Sequence, residues 1–296
     1  MVFAPSAPDW PRGEACRKRI LRGWNCEPQF AAVLMNYGRQ LRRRGIGLSM
    51  LNFSNISRAS AVGRLLRLPL ALIPKGMVIR VLQGRLRGYR WVATASTHGC
   101  WLGSYELPKQ QRFASCLSAA GIAYDVGANV GFYTLLASAC VGSKGKVFAF
   151  EPLPENVSLL EQHVRLNHRS NVEIHSFAVS DRSGKLRFQR GAFCETGRLS
   201  DEGDLEVTAV SLDDFIYGSG NPAPHLVKID TEGAELQVLR GACRLLQLTP
   251  PIIFLATHSQ CLHAACCELL VAAGYRLEGV DGRLVEVNDE LICYPP

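Results

Sequence analysis

The chain has 296 residues, 47% of them hydrophobic, and a formal net charge of +7. This apolar fraction is that of an ordinary globular protein and excludes a disordered or fibrous chain, and the length allows one sizeable α/β domain with an extension. The charge is divided unevenly, because residues 1–120 carry 19 Lys and Arg against 4 Asp and Glu, whereas residues 121–296 carry 14 against 22. The basic arm therefore suits an anionic partner, or packs with solvated arginines against the acidic remainder.

The eleven cysteines are scattered without a secretory-type framework. Residues 1–11 contain three prolines and no apolar core of a signal peptide, so we expect a reduced, cytoplasmic protein. Residues 61–74 are apolar but short, and Arg64 and Arg67 interrupt them. We expect this stretch to pack as a helix or to lie on a membrane surface, and not to span a bilayer.

Three segments are predicted in chain order. They are a basic, helical extension at residues 1–74, a lead-in at residues 75–120 and a cofactor-binding domain at residues 121–296. Within the lead-in, residues 77–92 alternate apolar and basic side chains around Gly84 and Gly88, which is typical of a β-hairpin. The aromatic stretch at residues 101–106 then either packs as a turn or forms a lip of the active site.

A strand, a glycine turn and a helix follow one another at the start of the third segment. Residues 122–126 are an apolar run typical of a buried strand, Gly127 and Gly131 form the turn, and a helical apolar pattern covers residues 132–140. Open α/β folds use this unit to hold a nucleotide-like ligand at the carboxyl end of the sheet. The glycines let the backbone approach the ligand where a Cβ would collide, and Asp125 ends the strand facing it.

The second strand is predicted over residues 145–152 and ends in a carboxylate, Glu151. An acid about 20 residues after the glycine turn of a βαβ unit lies where it binds both ribose hydroxyls; the alternative is an ordinary surface Glu. The turn departs from the dinucleotide fingerprint, because Asn129 replaces a glycine and Asp125 would repel a pyrophosphate. A carboxylate at that point suits the ammonium group of S-adenosyl-L-methionine, so the charges favour this cofactor over NAD.

The rest of the chain alternates strands and helices. The predicted strands are residues 171–179, 185–189, 206–210, 225–230, 251–257, 275–277, 284–287 and 291–294. The predicted helices begin at Pro154 and cover residues 232–246 and 260–273, with a loop near the cleft at residues 191–203. This alternation indicates an α/β fold with a doubly wound, mostly parallel sheet.

Acidic residues concentrate where the fourth strand ends, in the sequence that runs from Lys228 through Asp230 and Glu232 to Glu235. Unpaired buried charge is costly, so acids at the end of an apolar strand are expected to serve a site. Lys228 and Asp230 share a strand face and can also pair with each other. Glu232 and Glu235, in the first turn of the predicted helix, also favour its dipole. We assign Asp230 and Glu232 to the site.

With both motifs identified, the chain resembles the FkbM family of S-adenosyl-L-methionine-dependent methyltransferases. The matching stretches are YDVGANVGFYTLLAS (124–138), VFAFEPLPENVSLLEQHVRLN (147–167), FAVSDRSGKL (177–186), VSLDDF (210–215), VKIDTEGAELQVLRGA (227–242) and PIIFLATHS (251–259). The resemblance spans residues 75–296 and implies a class I methyltransferase fold, a Rossmann-like sheet of seven mostly parallel strands whose last strand is antiparallel. It also implies these cofactor contacts: Asp125, Gly127, Asn129 and Gly131 at the methionine end, Glu151 at the ribose, and Ala178 and Val179 near the adenine.

The activity that the resemblance implies is O-methylation of a hydroxyl on a sugar, glycan or polyketide-like small molecule. Family members often carry a Glu at the end of the fifth strand, where this chain has Thr257 and His258. His258 is therefore a candidate in its place. A hydroxyl is a poor nucleophile at neutral pH, so a base or a metal should activate it. Asp230 or His258 could take its proton, and Glu232 is a third catalytic candidate.

Two other functions stay open on the sequence: a nicotinamide-dependent oxidoreductase, and a nucleic-acid-binding or RNA-methylating protein that uses the basic arm. The Asn/Asp-Pro-Pro-aromatic run typical of base amino-methylation does not follow the fourth strand, which argues against methylation of base nitrogens. No metal ligands are assigned. A soft group of residues does occur at His258, Cys261, His263, Cys266 and Cys267, but two of them point apart on a helix, so we expect core cysteines and not zinc.

Overall fold

The structure is a computed structural model. It describes residues 73–189, 198–199, 203, 205–285 and 288–296, and the statements below concern those residues. The predicted basic extension lies outside them except for its last two residues, and most of the predicted loop at residues 191–203 lies outside them too. Within the described part of the chain, no helix combines the length and the hydropathy that a bilayer crossing requires.

The elements of the described chain are short and regular. The strands are β1 (Val78–Arg80), β2 (Arg90–Val92), β3 (Ile122–Val126), β4 (Lys146–Phe150), β5 (Val172–His175), β6 (Ala178–Val179), β7 (Gly184–Gln189), β8 (Arg198–Leu199), β9 (Leu205–Val210), β10 (Leu226–Ile229), β11 (Ile252–Ala256), β12 (Arg276–Gly279) and β13 (Glu290–Tyr294). The helices are α1 (His98–Leu102), α2 (Leu107–Ser115), α3 (Phe132–Val141), α4 (Pro154–Leu166), α5 (Glu235–Arg240), α6 (Cys243–Leu248) and α7 (Gln260–Ala272), with a π-helical turn at Asp214–Gly218.

Seven strands form the main sheet, in the order β12-β13-β11-β10-β3-β4-β5. Neighbours from β11 to β5 pair in parallel, whereas β13 is antiparallel to both β11 and β12. The predicted α/β class and the class I methyltransferase topology are therefore confirmed. The strand order reverses between β3 and β10, so their carboxyl ends lie at a topological switch point, where open α/β sheets bind ligands.

A second sheet, in the order β6-β9-β7-β8, accounts for one wrong prediction. The third strand, predicted over residues 171–179, is shorter than expected, because β5 ends at His175 in the main sheet. Ala178 and Val179 instead pair in parallel with β9. The adenine-side residues assigned from the sequence therefore stand at the junction of the two sheets.

The helix predicted over residues 232–246 is also wrong, because it begins only at Glu235 and divides into α5 and α6. Gly241 stands at the division, where a Cβ would lie 2.1 Å from the carbonyl oxygen of Ser180. The Asp213 carboxylate then accepts hydrogen bonds from the backbone N–H groups of Arg244 and Leu245, at 2.8 and 2.9 Å. These bonds satisfy the free donors of a new helix N-terminus, so the second helix is separately capped.

The antiparallel edge differs from the prediction at its turn. Leu284 and Val285, predicted to start a strand, are not in one, and residues 286–287 lie outside the described chain. Leu284 is 73% exposed, so its side chain does not contribute to the core. The edge consists of β12 and β13 only, paired from Arg276 with Tyr294 to Gly279 with Leu291.

A buried histidine connects the lead-in to the glycine turn that follows β3. His163 on α4 stacks on Trp91 of β2 with ring centroids 3.9 Å apart. Its Nε2 accepts a hydrogen bond from the Val92 N–H at 3.0 Å, and its Nδ1 donates to the Val130 carbonyl at 2.7 Å. These partners fix a neutral imidazole with its proton on Nδ1. The ring therefore connects β2 to the turn that follows β3.

We predict that this histidine makes the protein sensitive to acid. Burial lowers the pKa of His163 to about 4, opposed only in part by its bond to Val130. The unfolded chain takes up this proton near pH 6.5 and the folded chain only near pH 4, so stability falls as pH drops through that window, by about 3 kcal/mol. The measurement is the free energy of unfolding at pH 7 and pH 4 for the wild type and His163→Gln.

Between pH 7 and pH 4, the difference in the free energy of unfolding between the wild type and His163→Gln should shrink by about 3 kcal/mol. His168→Asn is the matched control, because His168 is exposed and its φ of 52° is one that Asn tolerates. If the stability of His163→Gln depends on pH in the same way as that of the wild type, His163 is not the source of the acid sensitivity.

The glycine turn after β3 packs on protein atoms. Gly127 has a φ of +74°, and a Cβ there would lie 1.9 Å from the Asp230 carbonyl oxygen. Gly131 has a φ of +93°, and a Cβ there would lie 2.3 Å from Leu160 Cδ1. That these glycines also let the backbone approach a ligand stays a prediction. Their absent side chains let the turn press against the end of β10 and against α4.

Replacement of Gly127 by Ala should therefore lower the free energy of unfolding by more than the penalty for placing Ala in a left-handed conformation. Gly88, with a φ of +88° and no atom within 4 Å of a Cβ, is the matched control. We expect Gly88→Ala to lower the free energy of unfolding by about 1–2 kcal/mol and Gly127→Ala by at least about 2 kcal/mol more, because overpacking adds to the backbone penalty. Equal losses in chemical denaturation would show that the turn moves away from Asp230 at little cost.

Candidate active site

A cavity of about 220 Å³ opens at the carboxyl ends of β3, β4 and β10. It contains five of the seven residues assigned to the cofactor and two of the three assigned to catalysis. Its predicted lining residues are Gly127, Asn129, Glu151, Ala178, Val179, Asp230 and Glu232. The structure thus brings both sequence motifs to one cavity, while Asp125, Gly131 and His258 are not in its lining.

Glu151 lies at the end of β4 with most of its carboxylate already engaged. Its Oε1 accepts from the Leu153 N–H and from Asn156 Nδ2, both at 3.1 Å, and its Oε2 accepts from the Asn129 N–H at 2.9 Å. Burial raises the pKa of Glu151, and these donors oppose the rise. A carboxylate oxygen accepts more than one bond, so Oε2 keeps capacity for a hydroxyl in the cavity. The same carboxylate sets the position of the glycine turn.

Asp125 lies behind the cavity wall, where it is 1% exposed. Thr134 Oγ1 donates to its Oδ2 at 2.5 Å, and Lys228 Nζ stands 3.3 Å from its Oδ1. Lys228 also donates to the Gly127 carbonyl at 2.9 Å and lies 3.5 Å from Asp230 Oδ2. Burial lowers the pKa of Lys228, but Asp125 and Asp230 more than offset this and raise it overall. Asp125 is therefore connected to the cavity by its ion pair with Lys228, which lines the cavity.

Asp230, Glu232 and His258 form what we call the acid–histidine cluster. His258 Nε2 lies 3.5 Å from Asp230 Oδ1 and 3.4 Å from Glu232 Oε2. The hydrogen bond to Glu235, with the nearby acids, raises the pKa of His258 to about 9. Burial raises the pKa of Asp230, but Lys228, Lys109 and His258 lower it overall. Burial raises the pKa of Glu232.

Glu235 organises the loop between β10 and α5, a role the sequence did not reveal. Its Oε1 accepts from the Thr231 N–H, the Thr231 hydroxyl, the Gly233 N–H and His258 Nδ1, all at 3.0–3.1 Å. Glu232 lies in this loop with a φ of 56°, and not in a helix as predicted. A buried carboxylate thus holds both the loop and the imidazole in place.

The lead-in supplies cavity residues that sequence reasoning left unassigned. Tyr105 and Thr97 line the cavity from the lead-in, and Phe177 lines it too. Lys109, outside this lining, is 3% exposed and bonds to Glu290 at 2.6 Å and Glu106 at 3.3 Å. The aromatic stretch at residues 101–106 was the available signal, since one of its two interpretations was a lip of the active site. The ion pair between Lys109 and Glu290 gave no signal, because these two residues are 181 positions apart in the chain.

The cysteine-rich helix shows packing contacts. Cys266 is buried, as predicted, and Cys267 Sγ lies 3.5 Å from His263 Nε2. Cys261 is exposed, so the expectation of core cysteines is wrong for that residue. Among the residues that the structure describes, the one group of donors close enough to share a metal ion is Asp230, Glu232 and His258.

Comparison with known proteins gives one curated relative and several solved structures. The relative is the hexuronic acid methyltransferase AglP of Haloferax volcanii, 30% identical over 128 residues, which are 43% of this chain and 52% of that protein. The chain thus spans about half the length of the relative it matches. A methyltransferase FkbM from Methylobacillus flagellatus is 16% identical over 64% of this chain and 59% of its own, with a TM-score of 0.41. Fibrillarin from Aeropyrum pernix, solved with bound S-adenosyl-L-methionine, is 13% identical over 60% and 66%, with a TM-score of 0.39.

The family profile of the methyltransferase FkbM domain matches residues 125–277, more than half of the chain. The match begins at the end of β3 and includes the glycine turn, Glu151 and the acid–histidine cluster. The resemblance seen in the sequence is therefore confirmed. The chain belongs to the FkbM methyltransferase family.

Proposed function

We propose that this protein is an S-adenosyl-L-methionine-dependent methyltransferase that methylates a hydroxyl of a sugar or glycan. The observation that carries the proposal is the charge of the cavity, whose described lining contains three acids, Glu151, Asp230 and Glu232, and one base, Lys228. A net negative wall attracts a cationic ligand and repels a pyrophosphate. Family membership, and a relative named for methylation of a hexuronic acid, support the reaction and the acceptor class.

The cavity residues fit the proposed cofactor at both of its ends. Glu151 Oε2 keeps acceptor capacity for ribose hydroxyls, as described above. Phe177, Ala178 and Val179 offer an apolar wall for a flat base, and the turn from Gly127 to Asn129 also lines the cavity. When bound, the cofactor supplies an electrophilic methyl group on sulfur. The chain's part is to orient the acceptor oxygen towards that methyl and to exclude water.

Asp230 is the residue we propose to accept the proton of the acceptor hydroxyl. It lines the cavity, whereas His258 is not in the lining and reaches Asp230 from outside at 3.5 Å. Glu232 stands on the same wall. His258, held by Glu235, positions both carboxylates towards the space in which the acceptor is proposed to bind. Of the two bases that the sequence left open, this geometry favours Asp230.

Calorimetric titration separates the proposal from a nicotinamide enzyme. We expect S-adenosylhomocysteine to bind at one site per chain and NAD to give no heat of binding. Glu151→Gln should weaken binding of S-adenosylhomocysteine at least about tenfold, because hydrogen bonds to a charged group contribute about 1.5–3 kcal/mol. Glu161→Gln, at an exposed position of α4, is the matched control and should bind normally. Tight binding of NAD without binding of S-adenosylhomocysteine would contradict the proposal and favour a nicotinamide enzyme.

Asp230→Asn tests the proposed proton acceptor. We expect turnover to fall by at least about 10²-fold, the usual contribution of a general base, with affinity for S-adenosylhomocysteine retained. The assay is transfer of a labelled methyl group from S-adenosyl-L-methionine to a panel of sugars and glycans. Wild-type turnover in this variant would remove Asp230 from the mechanism.

A further inference from the structure

We propose that the acid–histidine cluster binds a divalent transition-metal ion through His258 Nε2, an Asp230 carboxylate oxygen and a Glu232 carboxylate oxygen. One donor atom from each of the three side chains lies within 4.8 Å of the other two. The sequence assigned no metal ligands, and it placed Glu232 inside a helix. The loop conformation of Glu232 is what turns its carboxylate towards the imidazole.

Two of the three separations between donor atoms match those around a small ion, and the third is at most 4.8 Å. His258 Nε2 is 3.4 Å from Glu232 Oε2 and 3.5 Å from Asp230 Oδ1. Ligands at about 2.0–2.2 Å from a tetrahedrally bound ion stand about 3.3–3.6 Å apart. The imidazole and the carboxylates are therefore placed to share an ion without large movement.

The surroundings of His258 give independent support. Its Nδ1 is 3.0 Å from Glu235 Oε1, which directs the Nε2 lone pair into the cluster when the proton is on Nδ1. A carboxylate on the far nitrogen of a ligating histidine is the usual arrangement in metal sites. Glu235 is 0% exposed, and its Oε2 has no hydrogen-bond partner among the described residues. Such a buried, partly unpaired carboxylate beside two further acids favours an added cation.

The ligand chemistry narrows the kind of ion. One imidazole with two carboxylates suits Mn²⁺ or Zn²⁺ better than Mg²⁺, which prefers oxygen ligands and retains its water. Asp230 and Glu232 line the cavity, so the ion would face it with an open position. Three protein ligands and one exchangeable position are the pattern of catalytic metal sites.

The catalytic role of the ion rests on the proposed function. An acceptor hydroxyl bound at the open position would have a lowered pKa and pass its proton to the Asp230 oxygen that does not bind the ion. The acceptor oxygen then forms the bond to the methyl carbon. The carbon–sulfur bond breaks, and its electron pair stays on sulfur, which leaves S-adenosylhomocysteine.

Mn²⁺ is the probe for the site, followed by electron paramagnetic resonance, because the signal of free aqueous Mn²⁺ is lost on binding. We expect the full chain to bind one Mn²⁺, and Glu232→Gln and Asp230→Asn each to bind it at least tenfold more weakly. Glu268→Gln, an exposed acid on α7, is the matched control and should bind like the wild type. Zn²⁺ should displace Mn²⁺ at concentrations at which Mg²⁺ does not.

Titration of Glu232→Gln with S-adenosylhomocysteine controls for folding, because Glu232 is partly exposed and holds no backbone group in the described structure. Absence of stoichiometric Mn²⁺ binding, binding that both variants retain, or equal displacement by Mg²⁺ would overturn the metal site. The two proposals fail separately: loss of the metal site leaves S-adenosylhomocysteine binding intact, and a chain that binds Mn²⁺ but not S-adenosylhomocysteine refutes the proposed function.

Discussion

The site depends on one buried lysine at the meeting point of two parallel strands. Lys228 lies between Asp125 on β3 and Asp230 after β10, at 3.3 and 3.5 Å, and donates to the Gly127 carbonyl of the glycine turn. A buried carboxylate without its partner costs about 3–5 kcal/mol. The lysine therefore makes it possible for the protein to keep two acids at adjacent strand ends, and it fixes the turn relative to both.

Two further buried side chains extend this arrangement in opposite directions. Glu235 gathers the backbone of the loop after β10 and the imidazole of His258 around one carboxylate oxygen. His163 links Val92 of the lead-in to Val130 of the glycine turn. Both residues act on backbone groups, so they set the shape of the cavity without lining it. Hydrogen bonds to otherwise unpaired buried backbone groups are costly to lose, which makes such residues effective supports.

The sequence predictions were correct where the signal came from residues close together in the chain, and wrong where the structure depends on contacts between distant segments. The strand ends, the glycine turn and Glu151 were found because a βαβ unit places them at short, regular spacings. The continuous helix over residues 232–246 was not correct, because its division depends on Gly241 meeting the Ser180 carbonyl and on Asp213 capping α6, contacts between distant segments. The role expected for Asp125 as a direct cofactor contact stays a prediction, and its position behind Lys228 was not visible in the sequence.

The sequence by itself determined an α/β fold with a mostly parallel sheet and the edge of that sheet where the site lies, because hydrophobic periodicity and glycine spacing are properties of neighbouring residues. The family and the number of strands came from the resemblance of its motifs to the FkbM family. Only the tertiary structure decided which acids face the cavity, which are neutralised behind it, and that His258 meets Asp230 and Glu232. These outcomes depend on distances between strand ends that are far apart in the chain, and a single chain's residue order does not contain those distances.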